Sequence, residues 1–198
     1  MTAFYRFNFL RMLFVIALLR VALTADDSLS THSTEAERLV ETGRNLFYAS
    51  VEDAAQLDSA FYIFERLKDE YPDYHGRATT YIGALTALRG RHAFWLYTKY
   101  RLVKEGLKIM DQGLQQAPDD IEALFLYGST CHFMPSLFGK KENAQDAFKQ
   151  IMRLLPGQWQ AYNRELVVNV INFLLEHTKL TAEEQLTLQE LKLKIVQE

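Results

Sequence analysis

One cysteine, Cys131, stands in the 198 residues, so an internal disulfide is impossible and a thiolate zinc site has no ligand set. None lies near the N-terminal apolar run, which excludes a lipid-modified N-terminal cysteine. Proline (four) and glycine (nine) are too scarce for the many tight turns of an all-β sandwich. No G-x-x-x-x-G-K-[ST] occurs, since Gly139-Lys140-Lys141 lacks both the glycine spacing and the hydroxyl residue, and H-E-x-x-H, G-x-S-x-G and C-x-x-C are missing too. The histidines, His32, His75, His92, His132 and His177, are scattered, and none has a His or Cys partner at helical ligand spacing. Neighbouring Cys131 and His132 point about 100° apart on a helix, which suits neither a metal nor a Cys–His nucleophile. Neither an enzyme nor a bound cofactor or metal is expected.

What is present reads as helix. Apolar residues make up 48% and charged residues 24%, the balance of an ordinary globular domain, and Leu, Ala, Glu, Lys and Gln recur throughout. The formal charge is −3, yet the first 25 residues carry Arg6, Arg11 and Arg20 and no acid. The remainder is therefore more acidic than the total suggests. An acidic body without a basic run repels a phosphate backbone, so nucleic acid is not an expected partner.

Arg6 and Arg11 precede the apolar run Met12 to Leu19, and Val21-Ala22-Leu23-Thr24-Ala25 leads into Asp26-Asp27. A basic start, a short apolar core and small residues are the parts of a secretory signal. The run is too short to span a bilayer, which takes about 20 apolar residues, and Arg20 interrupts it. Residues 1–25 are thus expected to be a signal peptide or an uncleaved anchor, the latter giving the chain its membrane contact. Residues 26–33 read as a polar linker and 34–198 as a helical domain. Export places the protein in the periplasm or outside the cell, with a bacterial envelope as the favoured setting.

Three segments share one spacing: Ala60, Phe64, Pro72; Gly106, Met110, Pro118; and Ala144, Phe148, Pro156. A small residue and a large one at i and i+4 share a helix face, and a proline eight further on stops the helix. Self-similarity of this kind resembles the tetratricopeptide repeat, a helix–turn–helix unit of 34 residues whose second helix carries A-x3-F and ends at proline. Leu124, Tyr127, Gly128 and Cys131 fall on the first-helix pattern W-x2-L-G-x2-Y. The equivalent places of the first unit, Arg44, Phe47, Tyr48 and Val51, lack its glycine, and Ala78, Tyr81, Ile82 and Leu85 fit loosely in the second. Prolines lie 46 and 38 residues apart, so the second pair should have long helices with a turn near Gly90-Arg91, and Met134 to Gly139 an enlarged turn. Residues Trp159 to Ile195 look like a capping pair.

Capping boxes at Thr34–Glu37 and Thr181–Glu184, with Asp119 or Asp120 as a further cap, mark helix starts. The expected fold is all-α: about four antiparallel helix pairs stacked as a right-handed α-solenoid. The resemblance implies a concave groove lined by first-helix residues, here Asn45, Thr79, Gly83, Phe125, Ser129, His132 and Asn163, with Glu122 at the rim. No Lys or Arg falls at these places, which disfavours a carboxylate clamp. A protein or peptide partner is the expected occupant. A small apolar ligand of a solute-transport accessory is the alternative, motivated by the long second pair and by Phe94, Trp95, Tyr97 and Tyr100. Those aromatics either pack the second pair against its neighbours or form an exposed patch. Leu137 and Phe138 leave the same choice between a plain turn and a docking tip.

Overall fold

The computed structural model describes residues 35–197, and the signal, linker and Thr34 cap expected from the sequence lie outside them. All the long elements among the described residues are helices: α1 (Glu35–Glu52), α2 (Leu57–Glu70), α3 (His75–His92), α4 (Leu96–Gln116), α5 (Ile121–Phe133), α6 (Lys141–Gln158), α7 (Arg164–His177) and α8 (Ala182–Gln197). The expected class is therefore right, and the helices number eight. The described residues divide into two compact units, 35–126 and 127–197, with the boundary inside α5.

In the first unit α1 packs on α2, α2 on α3, and α3 on α4. Phe64 of α2 stacks on Tyr81 of α3, with ring centroids 4.1 Å apart, and Phe47 of α1 meets the same Tyr81 edge-on at 5.5 Å. The contact between α3 and α4 is the closest. A Cβ placed on Gly83 would stand 2.6 Å from the backbone nitrogen of Met110 and 2.7 Å from the carbonyl oxygen of Gly106. One on Gly106 would stand 2.5 Å from the Gly83 carbonyl. Gly76, Gly83 and Gly90 recur every seven residues on α3, as Gly106 and Gly113 do on α4, which keeps hydrogen atoms along one seam of each helix. The two backbones can then touch over the length of the hairpin.

The long second pair expected from the proline spacing is real, at 18 and 21 residues. Its turn is displaced: Gly90 stays helical, and the chain reverses at Ala93 to Trp95. Gly90 belongs to the seam instead, because a Cβ there would lie 3.1 Å from the Lys99 carbonyl and 3.2 Å from Leu102 Cβ.

The three spaced triplets do close helix pairs. Ala60, Phe64, Met110, Ala144 and Phe148 are all buried, as is Gly106. Each large residue lies over a glycine of the preceding helix. Phe64 covers Gly43, Met110 covers Gly83 and Phe148 covers Gly128, with Cβ clearances of only 2.6–2.7 Å. The first pair thus has its glycine after all, five residues before Tyr48, the place counted back from the proline.

Pro118 lies two residues beyond α4 and Pro72 two beyond α2, as stop signals do. Pro156 departs from that expectation, because α6 runs through it to Gln158. A proline so near the C-terminus removes one hydrogen bond without breaking the turn, and the Trp159 N–H still reaches the Leu155 carbonyl.

In the second unit α8 packs on α7 and touches α6. The Thr181–Glu184 capping box forms in both directions: the Thr181 N–H donates to Glu184 Oε2 at 2.8 Å, and the Glu184 N–H donates to Thr181 Oγ1 at 3.2 Å. The enlarged turn expected at Met134 to Gly139 is present, a single 3₁₀ turn closed by Gly139 at φ 63°. Its Leu137 is exposed and Phe138 half-buried.

Candidate functional site

In the first unit the structure gathers charges that the sequence keeps far apart. Glu122, in the first turn of α5, is 2% exposed. Its Oε1 accepts from Arg44 Nε at 2.9 Å, Arg44 Nη2 at 2.8 Å and the Tyr81 hydroxyl at 2.6 Å. Its Oε2 makes no hydrogen bond and lies 3.4 Å from Arg77 Nη1, an ion-pair distance. Arg77 also donates from Nε to Asp120 Oδ2 at 2.8 Å, while Asp120 Oδ1 accepts the Ala123 N–H at 2.8 Å and so caps α5, as the sequence suggested. Side chains of α1 and α3 therefore meet the first turn of α5.

Burial by itself would raise the Glu122 carboxyl, but Arg44, Arg77 and the Tyr81 hydroxyl outweigh it and hold it below the ordinary carboxylate value. Burial, followed by the Glu122 charge, pushes the Tyr81 hydroxyl well above its usual value. Burial opposes the charge on Arg44, yet Glu122 prevails and the guanidinium is held more firmly charged than usual. Two guanidinium groups face two carboxylates. At neutral pH these shifts keep Glu122 and Arg44 charged and the Tyr81 hydroxyl protonated, the forms that their hydrogen bonds between the helices require.

The groove positions implied by the repeat resemblance differ in burial. Thr79 and Phe125 are buried, and the Thr79 hydroxyl donates to the His75 carbonyl. Gly83 is sealed in the α3–α4 seam, and Glu122, expected at a rim, is interior. Ser129 and His132 are half-buried, while Asn45 is exposed on α1. Asn163 is exposed but occupied as the N-cap of α7, accepting from the Glu165 and Leu166 N–H groups at 2.9 and 3.2 Å.

In the second unit His132 is not isolated, contrary to the reading of scattered histidines. Its ring lies 5.7 Å from that of His177, among Phe133, Phe148 and Phe173. Burial, then His177 and Lys141, lower the His132 pKa, which favours the neutral ring. Among the described residues no group of three His, Cys, Asp or Glu side chains could hold a metal ion.

No family model, curated protein or solved structure matches this chain. A small apolar ligand calls for a deep apolar pocket. Among the described residues, a depression between α6 and α8 is lined by Asp146, Lys149, Gln150, Met152, Arg153 and Glu184, mostly charged or polar.

The aromatic segment is decided in favour of exposure. Phe94, Trp95, Leu96 and Tyr97 are 86, 71, 81 and 77% exposed at the tip of the α3–α4 hairpin. Phe94 and Trp95 meet only edge to face, 5.1 Å between centroids. Among the described residues no helix is long and apolar enough to cross a membrane.

Proposed function

We propose that the chain is an exported, tetratricopeptide-like scaffold that docks a protein or peptide partner on its first helices and performs no catalysis. The observation that carries this reading is the Arg44–Tyr81–Glu122–Arg77 cluster. It ties α1, α3 and the first turn of α5, the leading helices of three consecutive pairs, into one row. Pairs joined through their leading helices are the arrangement from which a stacked solenoid grows, since each pair buries an apolar face only against its neighbour. The repeated cover of a leading-helix glycine by Phe64, Met110 or Phe148 supports the same reading. The accessible members of the expected groove, Asn45, Ser129 and His132, are its contact candidates. Thr79, Gly83 and Phe125 act from within.

A photo-crosslinking side chain at Asn45, and separately at Ser129, in the full chain expressed in its native host tests the proposal. Both positions are expected to yield adducts with one and the same protein, identified by mass spectrometry. A probe at Lys149, on α6, should yield none of it. Unrelated adducts at the two positions, or equal yields at all three, would overturn it.

A further inference from the structure

The exposed tip of the α3–α4 hairpin is not used by the proposed scaffold, and its chemistry is specific. The geometry points to a peripheral membrane contact: Phe94, Trp95, Leu96 and Tyr97 enter the interfacial layer of an anionic bilayer while basic side chains behind them meet its headgroups.

Four consecutive large apolar residues in water are costly for a folded protein, and here they occupy a convex turn, not a groove. Trp, Tyr and Phe are the side chains that settle at the boundary between headgroups and acyl chains, where an apolar ring and a polar edge are both satisfied.

Charge selects the partner. Residues 89–108 hold Arg89, Arg91, Lys99, Arg101, Lys104 and Lys108 against Glu105, a net +5 within a chain of −3, of which Arg89 is paired with Asp58 at 2.7 Å. Arg101, Lys104 and Lys108 are exposed. Arg101 is 3.8 Å from Glu105 with both side chains more than half exposed, a pairing too weak to cancel the field. The Lys104 ammonium lies 5.6 Å from the Tyr100 ring centroid, on the tip's own helix. At about 1.5 Å per residue, Arg101 stands roughly 7 Å along α4 from Leu96, which matches the ~5–10 Å depth of interfacial burial. Apolar tip and basic collar are thus spaced like acyl boundary and phosphate layer. The rigidity of the contact comes from the glycine seam, which holds the hairpin together up to Gly90.

The chain has two tryptophans, so Trp159→Phe in the full-length protein leaves Trp95 as the sole reporter. Its emission is the readout, because the apolar run Met12 to Leu19 could carry the chain to lipid by itself. Mixed phosphatidylglycerol–phosphatidylcholine vesicles are expected to shift Trp95 emission to the blue, and brominated phosphatidylcholine within them to quench it. Added salt should weaken both effects. On that background Leu96→Ser should weaken the response about tenfold, and Arg101→Gln with Lys104→Gln roughly 30-fold. Neither should change the melting temperature, since these side chains are exposed. An unshifted and unquenched Trp95 overturns the inference. So does an equal response to pure phosphatidylcholine that the charge variants leave intact. A blue shift without vesicles that grows with protein concentration assigns the tip to a second copy of the chain and overturns it as well. None of these outcomes bears on crosslinking at Asn45 or Ser129.

Discussion

Glu122→Ala is expected to lower the unfolding free energy by about 3–5 kcal/mol, the usual result of stripping one partner from a buried ion pair. The loss comes from what stays behind. Arg44, 14% exposed, keeps its charge with its counter-charge gone, Arg77 is left to Asp120, and the Tyr81 hydroxyl loses its acceptor. Glu122→Gln preserves shape and one acceptor oxygen, so it should fall between the wild type and alanine. Urea titration by circular dichroism measures both, and a cost below about 1 kcal/mol for alanine, typical of exposed pairs, would contradict the burial argument. The same variants should alter the acid limb of stability. Because the folded chain holds Glu122 below its ordinary value, the unfolded chain takes up the proton first as pH falls. Its contribution is complete above the unfolded carboxylate pKa and disappears as pH drops through the lower folded one. Both variants lack that component.

Gly83→Ala reverses the sign expected for a helix. In an exposed helix interior, glycine to alanine gains up to about 1 kcal/mol. At position 83 the new methyl meets the Met110 nitrogen and the Gly106 carbonyl, and backbone cannot swing aside as a side-chain tip can. The helices must part along the seam, at a net cost of about 1–3 kcal/mol, with Gly83→Val worse. Two controls fix the interpretation. Gly157→Ala, with nothing within 4 Å of the added carbon, should be neutral or slightly stabilising. Gly43→Ala meets only the side chains of Phe64 and Ile63, which can yield, so its cost should be smaller than at Gly83. Thermal melts of the four variants check the order, and a stable Gly83→Ala would mean that α3 and α4 do not touch as described.

Local signals carried most of the helix boundaries. Asp120, Thr181 and the prolines at 72 and 118 act through neighbours two to four residues away, so their effect is visible in the chain itself. The small-then-large spacing in α2, α4 and α6 was equally visible, because i and i+4 share a face wherever the helix lies. The leading-helix glycines were harder. Counting back from proline assumes a fixed unit length, and the long second pair and the 3₁₀ turn Ala54–Gln56 between α1 and α2 break it, so Gly43 and Gly83 fell off the count. Heptad spacing from Gly76 to Gly113 was the overlooked sign of the seam.

Thr79 and Gly83 face inward because α3, packed between α2 and α4, is buried on nearly every side, as Thr80 and Ala84 beside them also are. For Phe125 another sign was available: Ile121 to Tyr127 is apolar apart from Glu122, with no polar face to leave in water, as in a helix buried all round. The Arg44–Glu122 contact spans 78 residues, and His132 meets His177 across a smaller gap. No local rule pairs such residues, since charge complementarity says who can pair and only the packed helices say who does. The exposed tip was legible as composition and undecided as environment, because an aromatic run reads alike in a core and at a surface.

The joining of leading helices can be measured directly by a double-mutant cycle on stability between Arg44→Met and Glu122→Leu. If α1 rests against the first turn of α5 through this pair, the two changes should be non-additive by about 1–3 kcal/mol, the double variant being more stable than the sum of its parts allows. Additivity within roughly 0.5 kcal/mol would show that the two helices do not meet there, and the stacked arrangement would fall with that result.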